Sequence, residues 1–299
     1  NRFYMQKIVP SFFIFLFISC SLISQDLLDA LGNTDPENTK ITNAFKSPRV
    51  INSHSMEMLG AGVLDFRILH RFGPVSQGYQ EFFGLDQASM RMGFDYGITK
   101  NMTVGIGRST FKKELDGFLR YRIFWQSTGA KSFPLSVIWT SGIIRNGLKN
   151  PLSDPELKVT FARRLAYYHQ LVIGRKINER ISVQVSPILV HDNIVDNQLI
   201  PNNIYALGVG GRCKITKRMA VVVDYSLPFN SFPIDYSNNP LSIGVDIETG
   251  GHVFQLHFSN ANGMNERAYI NEENGSWLDG DIQFGFNLSR VFQLKKNKI

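Results

Sequence analysis

The stretch "ASMRMGFDYGITKNMTVGIG" (Ala88–Gly107) holds two alternating runs joined by a tight basic corner. In its first half Met90, Met92, Phe94, Tyr96 and Ile98 fall on one face, and Ser89, Arg91, Gly93, Asp95 and Gly97 on the other. A period of two predicts a β-strand with one apolar face. The corner recurs in "RKINERISVQVS" (Arg175–Ser186) and "CKITKRMAVVVDY" (Cys213–Tyr225), each time between two extended segments.

The same alternation extends along the chain. Leu64, Phe66 and Ile68 oppose Asp65, Arg67 and Arg71; Leu119, Tyr121, Ile123 and Trp125 oppose Arg120, Arg122 and Gln126; Ile282, Phe284, Phe286 and Leu288 oppose Gln283, Gly285, Asn287 and Ser289. A soluble sandwich alternates too, but its polar face meets solvent. Here the polar faces are rich in Gly and paired charges, and the apolar faces are long and aromatic. That pattern belongs to strands with lipid outside and a polar lumen inside. Twelve strands are predicted, near 63–72, 88–97, 102–109, 117–126, 134–144, 159–175, 181–190, 204–214, 219–227, 242–248, 252–260 and 281–292.

Short and long connections alternate along this series. The three corners follow strands two, six and eight, and the joins after strands four and ten are also shortish. The long joins include "GPVSQGYQEFFGLDQ", "HDNIVDNQLIPNN" and "NANGMNERAYINEENGSWLDG", while the loop after strand three is a short exception. Short turns on the periplasmic side and long loops outside define an up-and-down outer-membrane barrel. The expected fold is therefore all-β, a transmembrane antiparallel barrel of about 12 strands. The soluble rival, two lipocalin-like or sandwich domains, has no linker to separate them.

Composition agrees: the 299 residues include 25 Gly, 23 Phe and 10 Tyr against 19% charged residues. Residues 1–25 read as a signal peptide, with Arg2 and Lys7 before "IVPSFFIFLFIS" and cleavage near Ser24–Gln25. Lipidation of Cys20 is the alternative, although Phe17 stands where an aliphatic residue is usual. Residues 26–58 are expected as a polar periplasmic lead-in with one short helix at Leu27–Leu31, residues 59–294 as the barrel and 295–299 as a tail. Without the leader, 30 Lys and Arg stand against 25 acids, scattered, so nucleic-acid binding is not suggested. Only Cys213 then remains, and no internal disulfide can form.

The inward faces carry the candidate site. Arg67, Arg71, Arg91, Arg120 and Arg122 come from the first four strands, beside Asp65 and Asp95; Asp224, Asp246 and Glu248 come from strands nine and ten. Ring closure predicts a basic wall facing an acidic one, an arrangement that selects charged solutes in a pore. The same charges could instead pair across a narrow lumen and fill it, because twelve strands lie between side-chain-filled and water-filled barrels. His252 and His257 are weak metal candidates: five residues apart on a strand, they fall on opposite faces. His257, Ser259 and Asn260 are the nearest approach to a hydrolase constellation, but no base or oxyanion site is marked. No cofactor and no catalytic residue are expected. Tyr96, Trp125 and Tyr225 suit an interfacial girdle, and Arg290 breaks the outward alternation of the last strand.

The segments "LDFRILHRFG" (64–73), "EFFGLDQASMRMGFDYGITKNMTVGIGRS" (81–109), "DGFLRYRIFWQ" (116–126), "TGGHVFQLHFSNANGM" (249–264) and "DIQFGFNLSRVF" (281–292) resemble a Bacteroidota β-barrel family known as a domain of unknown function. The resemblance runs from about residue 45 to the last strand. It implies an outer-membrane barrel in a Gram-negative envelope and carries no catalytic residues across. The functional expectation is a narrow channel for small anionic or zwitterionic solutes, embedded in outer-membrane lipid. The alternative is a non-transporting scaffold that docks a periplasmic, redox-type protein partner, and an outer-membrane enzyme comes third.

Overall fold

The computed structural model describes residues 37–149, 159–195, 201–230, 237–272 and 274–295. The expected signal peptide, Cys20 and the helix at 27–31 lie outside the described residues. Twelve antiparallel strands close into a barrel. They are β1 (Val63–Pro74), β2 (Ala88–Thr99), β3 (Met102–Ser109), β4 (Leu115–Phe124), β5 (Ser136–Arg145), β6 (Leu165–Lys176), β7 (Ile181–Asp192), β8 (Asn203–Lys214), β9 (Met219–Pro228), β10 (Leu241–Thr249), β11 (His252–Ser259) and β12 (Gln283–Gln293). Each pairs with the next, and β12 returns to β1 from Gln283↔Pro74 to Gln293↔Val63. Ring closure leaves no unpaired strand edge to face hydrocarbon.

The period-two pattern sorts the side chains as read. Phe94, Ile106, Tyr121, Leu256 and Phe258 stand exposed on the outside, while Arg91, Asp95, Arg120, Gln255 and His257 are buried within. Outer aromatic residues meet across strands: Phe66 lies opposite Phe94 with ring centroids 5.1 Å apart, and His70 stacks on Phe286 at 4.7 Å. Such cross-strand pairs help fix the register.

The repeated corner has a common chemistry. Thr99 Oγ1 accepts the N–H of Asn101 at 3.1 Å. Asn178 Oδ1 accepts those of Arg180 and Ile181, both at 2.8 Å. Thr216 Oγ1 accepts those of Arg218 and Met219 at 3.2 and 3.0 Å. A short polar side chain at the second position of each corner thus satisfies amides that no strand partner reaches.

Two expectations are corrected. The predicted strand at 159–175 begins only at Leu165, because Ala162–Arg164 form a 3-10 turn. Trp125 is not a lipid-facing girdle residue: its Nε1 donates to Asn101 Oδ1 at 2.7 Å, with Arg122 and Lys40 at 3.8 and 4.9 Å from the ring. β4 ends at Phe124, so alternation no longer sets the direction of residue 125. Arg290 stays outward and exposed, with its guanidinium 4.9 Å from the Phe292 ring.

Candidate functional site

The lumen is occupied by the chain itself. Residues 44–56 are almost wholly buried inside the ring, so the expected lead-in over 26–58 is corrected across its second half. The segment is anchored at the short-turn end, where Thr39 and Lys40 pair with Thr128 and Ser127. It folds into a tight turn in which Val50 N donates to Ser53 O and Ser55 N to Pro48 O, both at 2.9 Å. It then leaves by the same end, where Gly62 N bonds Gly97 O at 2.7 Å as β1 begins. We call residues 44–59 the plug.

The wall recognises the plug mainly through its backbone. Asp224 Oδ2 on β9 accepts three consecutive amides, those of Ile51, Asn52 and Ser53, at 3.2, 2.8 and 2.9 Å. Successive N–H groups converging on one carboxylate form an anion nest. The carbonyls turn to donors: Val50 O accepts from Gln255 at 2.5 Å, Ile51 O from Asn287 at 3.1 Å and His54 O from Gln184 at 2.7 Å. Arg120 donates to Pro48, Ser55 and Glu57 carbonyls at 3.3, 2.5 and 3.0 Å, and Arg122 to Met56 O at 2.9 Å. Buried polar backbone is tolerable only when paired in this way.

The predicted charged residues face inward as read, but they form no simple pair of opposed walls. Arg67 pairs with Asp65 and donates to Ser47 Oγ at 2.8 Å. Arg91 pairs with Asp116, Nε to Oδ1 at 2.8 Å, and Asp95 lies across from Asp65 in register. The basic side is thus half neutralised by its own carboxylates. Arg71, Arg120 and Arg122 have no ion-pair partner among the described residues, and they bind the plug or amide side chains instead; Arg71 reaches Asn52 Oδ1 at 2.7 Å and Asn287 Oδ1 at 3.1 Å. On the acidic side Asp224 holds the turn, Asp246 accepts from Gln255 at 2.7 Å and Glu248 pairs with Lys46 at 2.7 Å. A charge removed from water needs a partner, and the plug supplies what the wall lacks.

A second insertion comes from the long-loop end. The β11–β12 connection folds inward and carries α1 (Glu266–Asn271), capped by Asn265, whose Oδ1 accepts Ala268 N at 2.9 Å. Tyr269 and Ile270 pack with Phe118, Ile144, Tyr168, Ile188, Val190 and Ile204. The long-loop half of the lumen beside β4–β8 is therefore apolar, where a polar lumen was expected. Ala44, Phe45, Val50 and Met56 fill the other half against Ile138 and Val172. Plug and loop meet where Arg49 and His54 approach Glu266 at 3.0 and 3.2 Å, with the Tyr168 hydroxyl 3.1 Å from His54. His54 and Glu266 lie outside the spanning strands. Burial, then Arg49 and Arg120, push the His54 pKa well below its ordinary value, and burial raises that of Glu266.

His252 and His257 point to opposite faces, and among the described residues no cluster of three potential ligands could hold a metal. Ser259 Oγ accepts from Ser242 Oγ at 2.7 Å. Sequence reasoning missed Arg49, His54, Asp116, Arg212 and Glu266. Arg49 and His54 are hidden in the polar lead-in, Asp116 lies one residue before the strand expected from 117, Arg212 is on a strand whose faces the alternation did not sort, and Glu266 is in a loop.

A closed, up-and-down ring with an aliphatic and aromatic exterior and a filled polar–apolar interior defines a membrane-bound β-barrel of the outer-membrane type. The chain belongs to the family described as "Membrane bound beta barrel domain (DUF5777)", whose model matches residues 45–292, a span that takes in the plug and nearly all of the strands. Among curated proteins none matches. Among solved structures the chain is similar to the NanC porin in its rhombohedral crystal form, at 9% identity and TM-score 0.49, covering 78% of this chain and 100% of that one. It is similar to Salmonella typhi OmpF in complex with daunomycin at 7% identity and TM-score 0.37, covering 77% and 97%. Outer-membrane expressed OmpT of Vibrio cholerae gives 12% identity and TM-score 0.36, covering 78% of each chain.

Proposed function

We propose that this protein is a plugged outer-membrane channel, closed at rest by residues 44–59 and admitting small anionic or zwitterionic solutes when that segment withdraws. The observation that carries this reading is the character of the plug–wall contact. Arg71, Arg120 and Arg122 spend their donors on plug or amide oxygens, and Asp224 spends its acceptor on plug amides. When the plug leaves, each of these groups can be hydrated, and a basic surface lines the path. A plug held by apolar packing alone would leave a wall that water wets poorly.

Single-channel recording in planar bilayers tests it. Wild type should be mostly closed, and Asp224→Asn should open more often, with anion preference that falls in an Asp224→Asn/Arg120→Ala background. Silence from an Asp224→Asn barrel whose plug is demonstrably released would overturn the reading. It would favour the second one, a non-transporting scaffold docking a periplasmic partner. The pairing of Thr39 and Lys40 with Thr128 and Ser127 supports that alternative, since it sets residues 39 and 40 at the short-turn rim.

A further inference from the structure

Glu266 and Arg267 are neighbours in the chain and hold opposite partners. Arg267 ties the external loop to the rim: its guanidinium reaches Glu114 before β4 at 2.9 Å, Asp192 at the end of β7 at 2.8 Å and Glu272 of its own loop at 2.5 Å. Asn265 adds a bond to Glu114 at 2.6 Å. Glu266 turns the other way and holds the plug through Arg49 and His54, at 3.0 and 3.2 Å. Arg49 in turn clasps the plug tip, donating to Asn52 O at 2.5 Å. Arg49 and Glu266 are 2% and 1% exposed.

We propose that these residues form a relay across the membrane: loosening the external loop at Arg267 is passed through Glu266 and Arg49 to the N-terminal segment, so that an event at the outer surface is reported at the periplasmic rim. Two physical facts carry it. First, Glu266 and Arg267 sit in one capped helical turn, so the turn cannot shift at the rim without moving the carboxylate that holds Arg49. Second, withdrawing Glu266 while the plug stays seated leaves Arg49 as an uncompensated buried charge, which is strongly disfavoured. The mixed states are therefore sparse, and loop and plug change together. Coupling of this kind is reciprocal, so loosening the plug must also loosen the loop. The relay goes beyond solute passage and holds whether or not the barrel conducts.

The test is hydrogen exchange of the amides of residues 50–56 in the full-length protein in liposomes, with limited proteolysis of the 260–275 loop measured in parallel. Arg267→Gln touches no plug atom, and Arg267→Glu faces three carboxylates with a like charge, which secures loosening of the loop. Both should speed plug exchange by roughly tenfold, the effect of losing about one charge-assisted hydrogen bond. Glu266→Gln/Arg267→Gln should exchange no faster than Glu266→Gln alone, and Asp224→Asn should raise loop cleavage. A protease-sensitive loop in Arg267→Glu with plug exchange at the wild-type rate would overturn the relay. A non-conducting barrel that still shows the coupling would retain the relay and reject only the channel.

Discussion

Asp224 Oδ2 accepts the backbone N–H of Asn52 at 2.8 Å, joining the middle of β9 to the tip of a segment more than 170 residues away in sequence. The same oxygen serves Ile51 and Ser53, and Oδ1 accepts from the Ser53 hydroxyl at 2.8 Å. Replacing Asp224 with Asn keeps the shape and removes the charge. Seating of the plug should weaken by about 2 kcal/mol, the scale of a charge-assisted bond. Amide exchange at residues 51–53 should quicken while the melting of the strands stays near wild type.

Gly210 on β8 makes room for the plug. A Cβ there would stand 3.0 Å from Val50 Cγ2 and 2.8 Å from Gln184 Cγ. Gly210→Leu should therefore unseat residues 44–59 without opening the ring. The expected signature is protease cleavage within the plug together with retained heat-modifiable migration of the barrel.

The corner chemistry predicts a graded effect on stability. Asn178→Ala removes two acceptor contacts and should cost about 1 kcal/mol. Glu179→Ala, whose side chain is 88% exposed, should change stability little despite its contact with Lys176. Urea unfolding in vesicles with an unchanged slope separates the two.

Lipid exposure of the outer face makes Phe94→Arg a test of depth. Phe94 lies mid-strand and outward beside Phe66. An arginine near the bilayer midplane costs about 2–4 kcal/mol, so this variant should fold far less completely than wild type.

Acid should weaken the plug through His54. Seated, its ring is held well below the ordinary 6.5 by burial and by Arg49 and Arg120; released, it regains that value. The released form alone takes the proton below pH 6.5, so this contribution to seating is full above 6.5 and fades as pH falls. Glu266 has the opposite sign: its raised value makes its contribution present below the ordinary 4.5 and lost as pH rises. Plug exchange that quickens below pH 6.5 in wild type and not in His54→Gln isolates the histidine.

The barrel was legible because lipid and lumen impose one rule on every strand. Asp65/Phe66, Arg91/Met92 and Arg120/Tyr121 each place a charge inside and an apolar group outside, and period two cannot be mistaken over ten residues. The plug was hidden for a related reason. "SVIWTSGIIR", "ISVQVSPILV" and "MAVVVDY" carry apolar residues on their inner faces as well, among polar ones such as Thr140, Gln184 and Asp224, a partial signature of strands covered on both sides. With the outer face given to lipid, the inner Ile138 and Val172 required a cover, which the plug supplies, and Ile188 and Val190 another, which the loop around Tyr269 supplies. Nothing local in "NAFKSPRVINSHSMEML" marks that cover: it has no strand or helix period, and its backbone is satisfied only by wall residues far away in sequence. Asp116 falls on the inner face with Arg120 and Arg122 once β4 is extended to Leu115, and it reaches Arg91 on β2 across Gly107 of the intervening β3.

The central claim is that residues 44–59 lie inside the closed barrel. The most direct measurement is cross-linking of Asn52→Cys to Ser242→Cys, with Cys213 replaced by serine, because the native side chains meet at 3.1 Å. Mild oxidation of the membrane-inserted protein should yield the peptide pair joining the two positions in high yield, with little alkylation beforehand. Free alkylation of both cysteines without that peptide pair would contradict the account.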